Sequence, residues 1–184
     1  MSNKDNKNLA KILGGLLAIV IFVIIDQITK HLIEGSFELN EKKSVIEGFF
    51  SLHYVRNTGS AFSFLADKSW GIYLLSGISL VFGLLLLYIM IFALKRNYIK
   101  IGFFLGLISA GAFGNLIDRF VLHYVIDFLR FDFGSNTFPI FNVADCYAVI
   151  GTILLIIFIL FSANEFDEFW NELFHKKAGE HSDT

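Results

Sequence analysis

Three aspartates, Asp118, Asp127 and Asp145, stand beside or between long apolar runs in this chain. Around them lie Asp26 and Lys30, Asn57, Asn115 and Arg119, and Asn142. Two carboxylates brought close together cannot both ionise easily, so they hold one proton between them. One can then take a proton from water while the other donates to a scissile carbonyl oxygen, which is aspartic peptidase chemistry. Spacing alone leaves the pair open among Asp118, Asp127 and Asp145. Other chemistries find less support. There is no Gly-x-Ser-x-Gly elbow, no His-Glu-x-x-His and no phosphate-cradling P-loop. Ser60 and Ser63 have no histidine or lysine base evident in sequence. The single cysteine, Cys146, reads as a small buried hydrophobe and excludes a multi-cysteine metal site. His123 is a lone loop histidine.

Each polar residue also has a structural reading. Asp26 and Lys30 are four apart and can pair on one helix face. Asn142 and Asp145 have the spacing of a capping box at a helix start, where the dipole also favours an acid. Asp118 adjoins Arg119, which offers an ion pair. Asp127 differs, because Val125, Ile126, Phe128 and Leu129 surround it. An acid in apolar company has a raised pKa and suits a residue that must keep a proton.

The elements that position these groups follow from the apolar runs. Of 184 residues 55% are hydrophobic and only 17% charged, with mean hydropathy +0.62; a water-soluble domain is more polar. Four spanning helices are expected at about 10–33, 70–94, 99–118 and 143–163. The first run, with Lys4, Lys7 and Lys11 before it, also looks like a signal peptide, but no small-x-small cleavage site follows Ile25. Gly102, Gly106, Gly111 and Gly114 in the third run are spaced for close helix packing. Lys95, Arg96 and Lys100 place the connection between runs two and three in the cytoplasm. Lys176 and Lys177 agree. Both termini then lie inside, and the connections at about 34–69 and 119–142 lie outside. All the polar residues above converge on that outer face, where buried ionisable groups are costly and usually functional.

Phe50, Leu52 and Tyr54 alternate with Ser51, His53 and Val55, and Leu129, Phe131 and Phe133 with Arg130 and Asp132. These period-two patterns predict short strands in a small outer sheet. The fold class is therefore an all-α polytopic membrane protein in one domain, with four transmembrane helices and a small extracytoplasmic β-sheet. In the tail, 164–184, Phe166, Phe169, Trp170, Leu173 and Phe174 recur at the spacing of an interfacial helix. No basic tract is long enough for nucleic acid. An ion pathway would need polar groups through the whole bilayer, and the inner halves of the spans are nearly bare. A purely structural subunit gives no reason for three acids at one face.

Five blocks, in order, resemble the lipoprotein signal peptidases, the type II signal peptidases of bacteria. They are Asp26-Gln-Ile-Thr-Lys30, Asn57-Thr-Gly-Ser-Ala-Phe62, Gly114-Asn-Leu-Ile-Asp-Arg119, Val125-Ile-Asp-Phe128 and Phe138-Pro-Ile-Phe-Asn-Val-Ala-Asp145. Ala110, where the family often has glycine, and Ser60, where alanine is common, are small departures. The resemblance implies a membrane-embedded aspartic endopeptidase of the bacterial cytoplasmic membrane. It would remove the signal peptide from diacylglyceryl-modified prolipoproteins, cutting just before the lipidated cysteine. It further implies that the catalytic pair is Asp127 and Asp145. Asn57, Gly59, Asn115, Arg119 and Asn142 become substrate-binding or pair-supporting residues, with Asp26, Lys30 and Asp118 as supporting polar groups. It implies no metal or organic cofactor and a β-sheet cradle for the substrate. Nothing in the chain demands more than a monomer in contact with membrane lipid.

Overall fold

The computed structural model describes residues 3–59 and 70–174. Ser60, Ser63, the 60–62 end of the second sequence block, and Lys176 and Lys177 lie outside the described residues. Five helices and four strands follow in chain order: α1 (Asn3–Ser36), β1 (Lys42–Ile46), β2 (Phe50–Asn57), α2 (Gly71–Lys95), α3 (Ile99–Val121), β3 (Val125–Phe133), β4 (Asn136–Thr137), α4 (Val143–Phe161) and α5 (Ala163–Phe174).

Helices α1 to α4 are each long and apolar enough to cross a membrane, which makes this a multi-pass membrane protein. The shortest, α4, has 19 residues and so rises about 28 Å, close to the ~30 Å hydrocarbon thickness. At 34 residues, α1 is longer than the bilayer core requires. It begins near Lys4 rather than at residue 10, so Lys4 and Lys7 are helical. Leu13, Leu17, Val20, Ile24 and Ile28 line one exposed stripe of α1, the side a lipid chain would cover.

Helix α3 is the most buried span, and its small residues are the reason. A Cβ placed on Gly111 would collide with the carbonyl oxygen of Ala144 and lie 3.0 Å from the Ala148 Cβ. One on Gly114 would lie 2.7 Å from Asp26 Oδ2 and 3.0 Å from the Ala144 Cβ. These two positions let α4 and α1 approach α3 at backbone distance, the packing device of membrane helices. Below them Met90, Ala93, Ile101, Leu105 and Phe158 close the core. Ser162 (φ −135°, ψ 41°) ends α4, and α5 turns back across the bundle. Its Phe169 is buried edge-on against Tyr98 and Phe92.

The strands form one antiparallel sheet in the order β1-β2-β3-β4, at the end of the bundle where α1 and α3 finish. The simple alternation expected for β2 is not what forms. A register shift between Leu52 and Val55 makes Ser51 and Tyr54 the buried positions, because a bulge adds a residue and resets which side faces inward. In β3 the run Val125–Phe128 is buried at every position. Its beginning lies between the sheet and the helices, where Ile33, Tyr54, Ile126 and Phe128 form a second core. One connection matters most for the site. Phe128 and Leu129 both donate their N–H to Phe141 O, at 3.0 and 2.8 Å, and Phe141 N–H donates to Leu129 O at 3.2 Å. The segment entering α4 is thereby clipped to β3, beside Asp127.

Candidate active site

The site is built outward from Lys30. On α1, Asp26 and Lys30 are four apart and share a helix face, and Gln27, three before Lys30, flanks it on the other side. Lys30 is 1% exposed, so each proton of its ammonium needs a partner. The three are Asp26 Oδ2 at 2.9 Å, Asp118 Oδ2 at 3.0 Å and Asn115 Oδ1 at 2.9 Å. Asp26 Oδ1 accepts the Ala144 N–H at 2.9 Å, and Asp118 Oδ2 accepts the Ile126 N–H at 3.1 Å. One buried cation thus holds α1, α3, β3 and the start of α4 together.

The Asp118–Arg119 ion pair considered from sequence does not form in that way. Consecutive helical residues point about 100° apart; Asp118 turns inward to Lys30 while Arg119 turns to the rim. The Asp26–Lys30 pair does form. So does the capping box of α4: Asn142 Oδ1 accepts the Asp145 N–H at 3.1 Å, and Asp145 Oδ2 accepts the Asn142 N–H at 3.1 Å.

Obligate donors fix both amide orientations. The Lys30 ammonium requires the oxygen of Asn115 to face it, which turns Asn115 Nδ2 onto Asp145 Oδ1 at 2.8 Å. The Asp145 N–H requires the oxygen of Asn142, which turns Asn142 Nδ2 onto Asp127 Oδ1 at 2.7 Å and Asn115 Oδ1 at 2.9 Å. From the sheet, Asn57 donates its Nδ2 to Asp127 Oδ2 at 2.9 Å. It can do so because Val55 is the cross-strand partner of Asp127, which makes Asn57 the diagonal neighbour on the same face. The Gly59 N–H holds the Asn57 oxygen at 2.9 Å. Asp127 and Asp145, 18 positions apart in the chain by their residue numbers, are therefore joined through the side chain and main chain of Asn142.

Asp127 is 3% exposed. Burial first, and then the negative charge of Asp145, push its pKa up to about 7, against the opposing pull of the Asn57 and Asn142 amides. The carboxyl therefore keeps its proton up to about pH 7, well above the range of an ordinary aspartate. Arg119, at the rim, feels the charges of Asp145 and Asp127 and directs Nη1 to Asn115 O and Nη2 to Gly59 O, both at 3.5 Å. Its buried Nε has no hydrogen-bond acceptor among the described residues.

Ten residues singled out from the sequence, Asp26, Lys30, Asn57, Gly59, Asn115, Asp118, Arg119, Asn142, Asp127 and Asp145, thus meet in one connected network. Gln27, for which the sequence carries no expected role, belongs to it as well. Its Nε2 reaches Asp118 Oδ1 at 2.9 Å, Gly114 O at 3.1 Å and Asp26 Oδ2 at 3.2 Å. Its place three before Lys30 was the available signal. Cys146 is half-buried rather than buried. Among the described residues, the buried polar side chains outside this network are Ser51, Ser76 and Ser109, too few to thread a polar path across the bundle.

Residues 18–161 match the family model described as signal peptidase (SPase) II. A lipoprotein signal peptidase of Clostridium tetani (strain Massachusetts / E88) is 40% identical over 146 residues, covering 79% of this chain and 91% of that protein. One from Nostoc punctiforme is 43% identical over 143 residues, covering 77% and 85%. Among solved structures, one bacterial membrane enzyme superposes with a TM-score of 0.69 at 30% identity, over 92% of this chain and 94% of its own. A second gives 0.67 at 32% identity, over 80% and 93%.

Proposed function

The chain belongs to the signal peptidase II family, and from that premise we propose that it is an aspartic endopeptidase in which Asp127 and Asp145 share the catalytic proton. Lipoprotein signal peptidase activity follows from the family. The aspartic mechanism rests on one observation: a buried carboxyl with its pKa near neutrality, Asp127, is tied through Asn142 to a second carboxyl at the head of α4. Asp127 holds the proton at rest. Asp145, whose two oxygens each meet an N–H donor, keeps further lone pairs for water.

With a peptide bond between them, Asp145 takes a proton from water as its oxygen attacks the carbonyl carbon. Asp127 gives its proton to the carbonyl oxygen, and a tetrahedral diol forms. Asp127 then takes a hydroxyl proton back as that oxygen reforms the carbonyl, the C–N bond breaks, and the amine leaves with the proton that Asp145 gives it. Arg119 stands at the rim with a buried N–H to offer a substrate carbonyl. Asn57, Asn115 and Asn142 hold the carboxyls at fixed separation, and Asp26, Gln27, Lys30 and Asp118 hold the asparagines.

The substrate is a diacylglyceryl-modified prolipoprotein, cut before the lipidated cysteine. Its signal peptide stays in the bilayer, so a bundle with carboxyls at interface depth accepts it sideways from lipid. The basic ends of α1 and the α2–α3 turn orient the site outward, toward the extracytoplasmic face. Purified Asp127→Asn and Asp145→Asn proteins should keep the wild-type unfolding midpoint to within a few degrees and lose cleavage of a lipidated precursor. Wild-type rate in either variant removes that residue from the mechanism.

A further inference from the structure

Two adjoining cavities lie at the end of the bundle away from the carboxyls. One, of about 590 Å³, is lined by Lys4, Lys7 and Lys11 of α1, by Lys95 at the end of α2 and Arg96 just after it, with Glu172 of α5 as its one carboxylate. The other, of about 230 Å³, runs between α1, α2 and α3 along Gly14, Gly15 and Ala18, facing Gly102 and Gly106 and closed by Phe22. Lys11 lines both. Its ammonium donates to Asn97 Oδ1 at 2.9 Å and Asn8 Oδ1 at 3.4 Å, which holds the charge at the junction. Gly15, Gly102 and Gly106 are packed against Leu94 and Met90, whereas a Cβ on Gly14 would meet nothing within 4 Å, so the groove is open along the Gly14 side of α1.

We propose that these joined cavities form a binding site for one anionic diacyl phospholipid. The headgroup phosphate sits among the lysines, and an acyl chain lies in the groove. Charge favours an anion: five cationic side chains face one carboxylate, and Glu172 is already paired with Arg96 at 3.3 Å. Length favours an acyl chain: from Lys11 to Phe22 along α1 is about 16 Å, the hydrocarbon depth of a single leaflet. A soluble anion would use the vestibule and leave the groove unfilled. A neutral lipid would fill the groove and leave the cations unmatched. The site shares no residue with the carboxyl network, so it stands or falls apart from the peptidase reading.

The test is the thermal unfolding midpoint of the full-length protein in neutral detergent, titrated with phosphatidylglycerol or with phosphatidylcholine of the same chains. Phosphatidylglycerol should raise the midpoint by several degrees, and phosphatidylcholine should not. Lys7→Gln with Lys11→Gln, or Gly14→Leu to fill the groove, should raise the half-saturating lipid fraction at least tenfold. Both variants should leave cleavage in neutral detergent unchanged. Where the α1 double variant does not fold, Lys95→Gln with Arg96→Gln tests the same vestibule from another element. Equal stabilisation by both lipids overturns the proposal, as does full stabilisation by inorganic phosphate alone. Wild-type half-saturation in the Gly14→Leu protein also overturns it, by removing the acyl chain from the groove.

Discussion

Asn142 donates its side-chain amide to Asp127 at 2.7 Å while its main-chain N–H caps Asp145 at 3.1 Å. One residue therefore sets the distance between two acids and starts a membrane helix. The two tasks can be separated by substitution. Serine at a helix cap serves nearly as well as asparagine but has no amide to reach Asp127. Asn142→Ala should lower stability by about 1 kcal/mol and cleavage by about a hundredfold. Asn142→Ser should recover the stability and not the rate. The check is kcat and unfolding midpoint measured on the same preparations.

Lys30 has its three protons placed on Asp26, Asp118 and Asn115. Removing the cation leaves two buried carboxylates facing each other, a change that costs about 3–5 kcal/mol. Lys30→Met should therefore express poorly and unfold many degrees early in detergent. In an Asp26→Asn, Asp118→Asn background the same change should cost far less, because no uncompensated charge remains. A similar loss in both backgrounds would mean that the ammonium acts through packing alone.

The seam of α3 gives a steric test. Gly114→Ala pushes a methyl to within 2.7 Å of Asp26 Oδ2, and overpacking of this kind costs about 1–3 kcal/mol. It should also slow cleavage, since Asp26 and Ala144 anchor the start of α4. Gly77→Ala on α2, which meets nothing within 4 Å, should change neither midpoint nor rate.

Asp127 makes stability depend on pH. Its folded pKa, about 7, lies above the ordinary aspartate value, so the folded state binds the extra proton. The stabilising share is complete below about pH 4 and is lost as pH rises through about 7, at no more than about 1.4 kcal/mol per pH unit. Asp127→Asn lacks this titration. The midpoint of the wild type should therefore fall relative to that variant between about pH 4 and 7 and run parallel to it above. On the proposed mechanism, cleavage should also decline on the alkaline side of pH 7 as Asp127 loses its proton.

The run lengths, the depth of the polar residues and the α4 capping box could all be read along the chain. Each depends on local hydrophobicity or on neighbours three to four residues apart, and no partner from another element is needed. The alternation in β2 misled in detail because a bulge between Leu52 and Val55 leaves no mark in a period-two pattern. Gln27 passed unassigned because an amide beside an acid has no distinctive signature until its acceptors on α3 are in place.

Only the tertiary structure decided which acids meet. Spans such as α2 are apolar all round, so no amphipathic stripe fixes how far each helix is rotated about its axis. Rotation set by the Gly111–Gly114 seam and the Lys30 knot sends Asp118 to Lys30. The Leu129–Phe141 clip then brings Asn142, and with it Asp145, to Asp127. The sequence by itself determined four spans with their charged groups at one depth; the pairing of those groups came from helix rotation and strand register, which are long-range quantities.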